Sequence, residues 1–201
     1  VAKKRQKQMV AGNAKPLMQS RYRSHIESHI KGFSIVELMV ILLIAGILLA
    51  IGIPSYQAMI QNHRLITATN ALFMAVNLTR SEAIHRGVRV DMVPAGGGAK
   101  WTNGWVIFID EDNDQRPDKN ETVIYSHGEL HRDVRITPSF TDSKVQYIAF
   151  NGTGRTRTNA NSQTSQSGNW LLEAGSKSRK VVINFLGRAR VCDPDKEASS
   201  C

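Results

Sequence analysis

The chain has 201 residues, enough for one ordinary domain with extra segments, and with 41% apolar and 21% charged residues it is not a disordered chain. Its 15 glycines, 6 prolines and 2 cysteines exclude collagen-like and proline-rich classes, a disulfide scaffold and a four-cysteine zinc site. The formal charge of +9 points to a polyanion or a membrane surface as partner, but residues 1–32 hold +7 of it (eight basic side chains against Glu27) and residues 33–201 only +2 (18 basic, 16 acidic). If the first segment is removed in maturation, a polyanion site must rest on local clusters.

Residues 33–53 form a run of 21 residues whose only charge is Glu37. As a helix the run spans about 31 Å, the thickness of a bilayer core. The basic segment precedes it and the next basic residue is Arg64. The positive-inside rule then puts the N-terminus in the cytoplasm and the rest outside. A secretory signal peptide would have a shorter apolar region, although Ala50-Ile51-Gly52 offers small residues for cleavage. An ordinary single-span anchor is the other plain reading. Neither explains an early carboxylate, since ionisable residues within a span are costly and mark function.

Gly52 and Pro54 close the apolar run, and Pro54 is expected to kink or loosen the helix. Met59, Ile66, Phe73, Val76 and Ala83 then recur at helical spacing, with Gln61, Asn62, Arg64, Asn70 and Asn77 as polar positions. Gly87 is the expected C-cap, after His85 and Arg86 in the last turn. One helix over 33–86 is predicted, with 54–87 as the amphipathic continuation of the span. Strands are predicted at 88–93, 105–110, 122–125, 145–150, 170–173 and 181–185. Helix followed by antiparallel strands gives an α+β domain over 88–191, with 192–201 as a tail. No internal repeat is visible.

Lys177, Arg179, Lys180, Arg188 and Arg190 place five cations within 14 residues with no acid among them. Arg155 and Arg157 lie in a Gly/Thr-rich loop. Arginine presents a planar fork that fits phosphate oxygens, and neighbouring glycine lets backbone approach a polyanion. In an extended chain Arg188 and Arg190 point the same way. The pattern suits a small, flexible, sequence-independent phosphate clamp; a solvated charged end is the plainer alternative. Trp170, the nearby aromatic, is expected in the core rather than stacking on bases. Cys192 and Cys201 fall in a compartment that favours disulfides, with free thiols as the alternative.

Asp110, Asp112 and Asp114 with Glu121 match part of a calcium-loop spacing, but Gln115 stands where the turn needs glycine and strands flank the loop, so a solvated hairpin loop is favoured. His127, Glu129 and His131 lack the HExxH order. There is no GxSxG and no GxxxxGK[ST], so no enzymatic activity and no cofactor are expected.

Lys31-Gly32-Phe33-Ser34-Ile35-Val36-Glu37 resembles the processing site of type IV prepilins and pseudopilins. The resemblance implies cleavage by a prepilin peptidase between Gly32 and Phe33, with 1–32 as cytoplasmic leader, N-methylation of Phe33, and Glu37 as the fifth mature residue. A carboxylate there can partner the new α-amino group of a neighbouring subunit among apolar helices. Residues 72–87, the 101–110 strand, Ile148-Ala149-Phe150 with Gly152-Thr153-Gly154, and the GRxR of residues 187–190 resemble, in order, the GspH/FimT group, closest to its FimT branch. That resemblance implies the type IV pilin-like fold, a long transmembrane and amphipathic helix packed on an antiparallel sheet domain. It implies insertion in the bacterial inner membrane and then incorporation in a pilus with other major and minor pilins. It further implies sequence-independent DNA binding for uptake in natural transformation. The alternative is a minor pseudopilin of a type II secretion system with an assembly role.

Overall fold

The computed structural model describes residues 32–158, 164–197 and 201, so the leader, apart from Gly32, lies outside the described residues. The chain divides into two compact units, Val1–Ile44 and Ala45–Cys201. Helix α1, Ile35–Arg86, begins in the first. Its opening turns are apolar on every side and fully solvent-facing, with mean hydropathy 2.8 over the best 18-residue window. A helix without a polar face belongs in lipid or against other apolar helices. Glu37 sits in its first turn, where a carboxylate also complements the helix dipole.

Pro54 lies inside α1, which continues through it to Arg86, so the proline does not end the helix. Gly87, at φ +68°, terminates it. The buried face is Leu65, Ala68, Thr69, Leu72, Ala75, Val76, Thr79 and Ala83. The expected stripe is therefore corrected by about one position: Val76 and Ala83 are buried and Phe73 is half-buried, but Met59 is 57% and Ile66 37% exposed. Small residues hid the true face. Thr69 and Thr79 are accommodated because each hydroxyl donates to a carbonyl one turn back, Leu65 and Ala75, at 2.7 Å.

Among the described residues, nine antiparallel strands follow in two sheets. β1 (Val90–Pro94), β2 (Trp105–Phe108), β3 (Val123–His127), β5 (Ile148–Phe150) and β6 (Thr156–Arg157) form one, in the order β3-β2-β1-β5-β6. β4 (Arg135–Phe140), β7 (Gly168–Ala174), β8 (Lys177–Ile183) and β9 (Ala189–Cys192) form the other, in that order. All six predicted strands are present with shifted ends. β4, β6 and β9 were not foreseen, and each is an edge strand. Pro138 is tolerated in β4 because an edge strand has one side without ladder bonds.

The main core joins α1 to both sheets: Leu65, Leu72 and Val76 meet Met92, Trp105 and Ile107 of the first and Trp170, Leu172 and Val181 of the second. Trp170 is buried as expected, edge-on to Trp101 at 5.3 Å and to Phe140 at 5.0 Å. Val93, Phe108, Val145, Tyr147 and Ala149 form a smaller cluster.

Candidate nucleic-acid interface

Strand periodicity sorts the C-terminal cations. On β8, Val181 and Ile183 point into the core, so Arg179 shares their face whereas Lys180 and Val182 point outward. Arg190 pairs opposite Val182 and therefore faces outward too. Arg179 is engaged: its Nη1 lies 2.6 Å from Asp193 Oδ2 and also donates to the Ser178 carbonyl. Lys177 is exposed at the far end of β8, roughly 20 Å of strand from the β8–β9 turn. The five-cation run is thus not one cluster. The turn end keeps Arg188 and Arg190, with Lys180 on the face of Arg190.

Arg188 and Arg190 are both exposed, and neither guanidinium has an ion pair among the described residues. With Val182, Asn184 and Ala189 they line one hollow. The turn that presents them is built by Asn184, whose Oδ1 accepts the N–H of Leu186 (3.1 Å) and Arg188 (2.9 Å). Gly187 N–H donates to the Asn184 carbonyl, and Asn184 N–H to that of Arg188. Gly187 has φ +77°, and a Cβ there would lie 2.2 Å from the Gly154 carbonyl oxygen. The two arginines thus stand on a hydrogen-bonded hairpin turn, and just beyond it Cys192 is bonded to Cys201.

The Gly154 contact brings in the loop of Arg155 and Arg157, 33 residues upstream in sequence. Arg155 is exposed; Arg157 is half-buried, its Nη1 donating to the Thr156 carbonyl at 2.7 Å. Thr156 Oγ1 also reaches the Phe185 carbonyl of the other turn, at 3.3 Å. The fold therefore gathers Arg155, Arg157, Arg188 and Arg190 at neighbouring sheet edges and leaves Lys177 and Arg179 aside.

At the other end, a Cβ at Gly32 would meet no atom within 4 Å among the described residues, and Phe33, two residues before α1, is 69% exposed. In the acidic loop, carboxylate oxygens of Asp110, Asp112 and Asp114 lie within 4.8 Å of one another. The same carboxylates also serve the loop: Asp110 accepts from Gln115 N–H, Asp112 from Asp114 N–H and Asp114 from Arg116 N–H. Gln115 adopts φ +62°, the conformation for which a calcium loop uses glycine. Partial burial pushes the Glu121 carboxyl up, against the N–H donors of Asp118 and Glu111, which pull it down. His127 stacks on Trp105 at 4.2 Å, and His131 Nδ1 faces Asp133 at 3.4 Å.

An apolar N-terminal helix whose second half packs on antiparallel sheets defines a type IV pilin-like protein. The solved type IV minor pilin FimU of Pseudomonas aeruginosa shares this fold, with a TM-score of 0.53 and 14% identity over 67% of this chain and 92% of that one. The pilin-like protein PilA1 of Thermus thermophilus is 28% identical over 166 residues, 80% of this chain and 97% of PilA1. The family described as Type II transport protein GspH matches residues 68–187, and this chain belongs to that family of minor pilins and pseudopilins.

Proposed function

We propose that this chain is a minor pilin that binds DNA without sequence preference, for uptake, through Arg188 and Arg190. The reading is carried by two exposed guanidinium groups, unclaimed by acids among the described residues, on one hollow beside a braced turn. Each offers a fork of donors to phosphate oxygens without first breaking an internal ion pair. Lys180 adds charge on the face of Arg190, and Arg155 and Arg157 flank the turn. With +2 over residues 33–201, affinity should be weak, about micromolar or poorer, and steeply salt-dependent; many copies in a filament would compensate.

Maturation in this reading is cleavage after Gly32 by a prepilin peptidase and methylation of Phe33. Glu37 then partners the terminal amine of a neighbouring pilin. The apolar helix holds the subunit in inner-membrane lipid, N-terminus cytoplasmic, until it enters the pilus. Mass spectrometry of the mature chain should show methylated Phe33; an intact leader or an N-terminus at Ile53 contradicts it.

The DNA reading is tested on the full chain in detergent by gel shift with duplex DNA. Arg188→Ala with Arg190→Ala should abolish binding and leave the melting temperature unchanged. The family's description as a type II transport protein favours the second reading, a pseudopilus assembly subunit. A parent protein that does not bind DNA would leave that one standing.

A further inference from the structure

The two arginine-bearing turns are the same structure built twice. Asn151-Gly152-Thr153-Gly154-Arg155-Thr156-Arg157 and Asn184-Phe185-Leu186-Gly187-Arg188-Ala189-Arg190 share Asn, Gly, Arg and Arg at equivalent positions. In the first, Asn151 Oδ1 accepts the N–H of Thr153 (3.1 Å) and Arg155 (3.0 Å). Gly154 N–H donates to the Asn151 carbonyl, and Asn151 N–H to that of Arg155. Every one of these bonds has its counterpart around Asn184. The glycines match as well, Gly154 at φ +73° and Gly187 at +77°.

Register repeats with them. Phe150 pairs with Thr156 and Ala149 with Arg157; Ile183 pairs with Ala189 and Val182 with Arg190. Each hairpin supplies the last strand of its sheet, β6 or β9. The two meet turn against turn, at the Gly154 carbonyl and Gly187. Arg80 Nε of α1 donates to that same carbonyl at 3.0 Å, so the junction is tied to the helix. One α-carbon step beyond each glycine, Arg155 and Arg188 lie no more than roughly 10 Å apart. That α-carbon separation is short enough for the two arginine side chains to reach neighbouring phosphates of one strand.

We propose that the paired turns form one composite clamp, in which Arg155 and Arg157 from one hairpin and Arg188 and Arg190 from the other grip a single DNA backbone at neighbouring phosphates. The proposal rests on the DNA reading above and adds a second arm to it. Duplication gives the site both arms on one braced junction, so little ordering is needed at binding. The arms are unequal: Arg155 is exposed, and Arg157 keeps only part of its donor set free.

The test measures binding of a short fluorescent DNA duplex to the full chain in detergent across a salt series. Arg155→Gln should weaken binding several-fold and lower the slope of log affinity against log salt by about one. Arg132→Gln, which removes an exposed cation elsewhere, should do much less. Arg155→Lys should keep the slope, and unchanged melting temperatures show intact folds. If Arg155→Gln behaves as Arg132→Gln while Arg188→Ala with Arg190→Ala loses binding, the second arm is refuted and the DNA reading survives. If the parent does not bind, or the Arg188 and Arg190 double variant binds as the parent does, both fall.

Discussion

Asn184 shows how much rests on one side chain. Its amide oxygen satisfies two backbone donors that would otherwise be lost when the chain turns back between β8 and β9. Asn184→Ala should cost about 0.5–1.5 kcal/mol, read as a lowered denaturation midpoint, because it removes two hydrogen bonds of an exposed turn whose N–H groups water can then reach. Gly187→Ala should cost at least as much, since both its positive φ and the Gly154 carbonyl forbid a Cβ. Glu121 acts in the opposite sense. Burial raises its folded pKa above the ordinary 4.5, so its ionisation works against the fold. Its contribution improves as pH falls through the raised value and worsens as pH rises through it. Glu121→Gln should flatten that part of the stability–pH curve, measured by thermal melts from weakly acidic to neutral pH.

Elements differ in how far they can be read from residues alone. The apolar span and the Gly87 stop are local signals, and the helix follows them. The packing face of α1 is not local, because alanine and threonine against a sheet bury as well as methionine and isoleucine do. Leu72→Ala should therefore cost about 2–5 kcal/mol, while Met59→Ala in the same helix should be near neutral in chemical denaturation. The core strands of both sheets carry runs of β-branched and aromatic residues and were visible. The edge strands β4, β6 and β9 are rich in polar residues or interrupted by proline, a composition that also reads as loop, whereas the edge strand β3 carries Val123, Ile124 and Tyr125 and is legible. That difference decided the candidate site. Arg188 and Arg190 were legible as a motif. The strand alternation that separates Arg179 from Lys180 was not, and neither was the matching turn around Asn151, although N-x-x-G-R-x-R stands twice in the sequence.

Across the whole molecule, composition misleads until it is divided. Most of the net charge lies in residues 1–32, and what remains is concentrated by folding rather than by sequence proximity. The two sheet edges bring arginines from distant positions together, and the Cys192–Cys201 bond closes the chain just after them. Replacing both cysteines by serine should lower stability by about 2–3 kcal/mol, seen as a lower denaturation midpoint that reducing agent reproduces in the parent. Family membership places this surface on a pilin-like subunit.

The most direct measurement is the salt dependence of DNA binding by the full chain and by its Arg188→Ala, Arg190→Ala variant, compared side by side. The account predicts a steep slope for the parent and no measurable binding by the variant. Identical curves for the two proteins would contradict it.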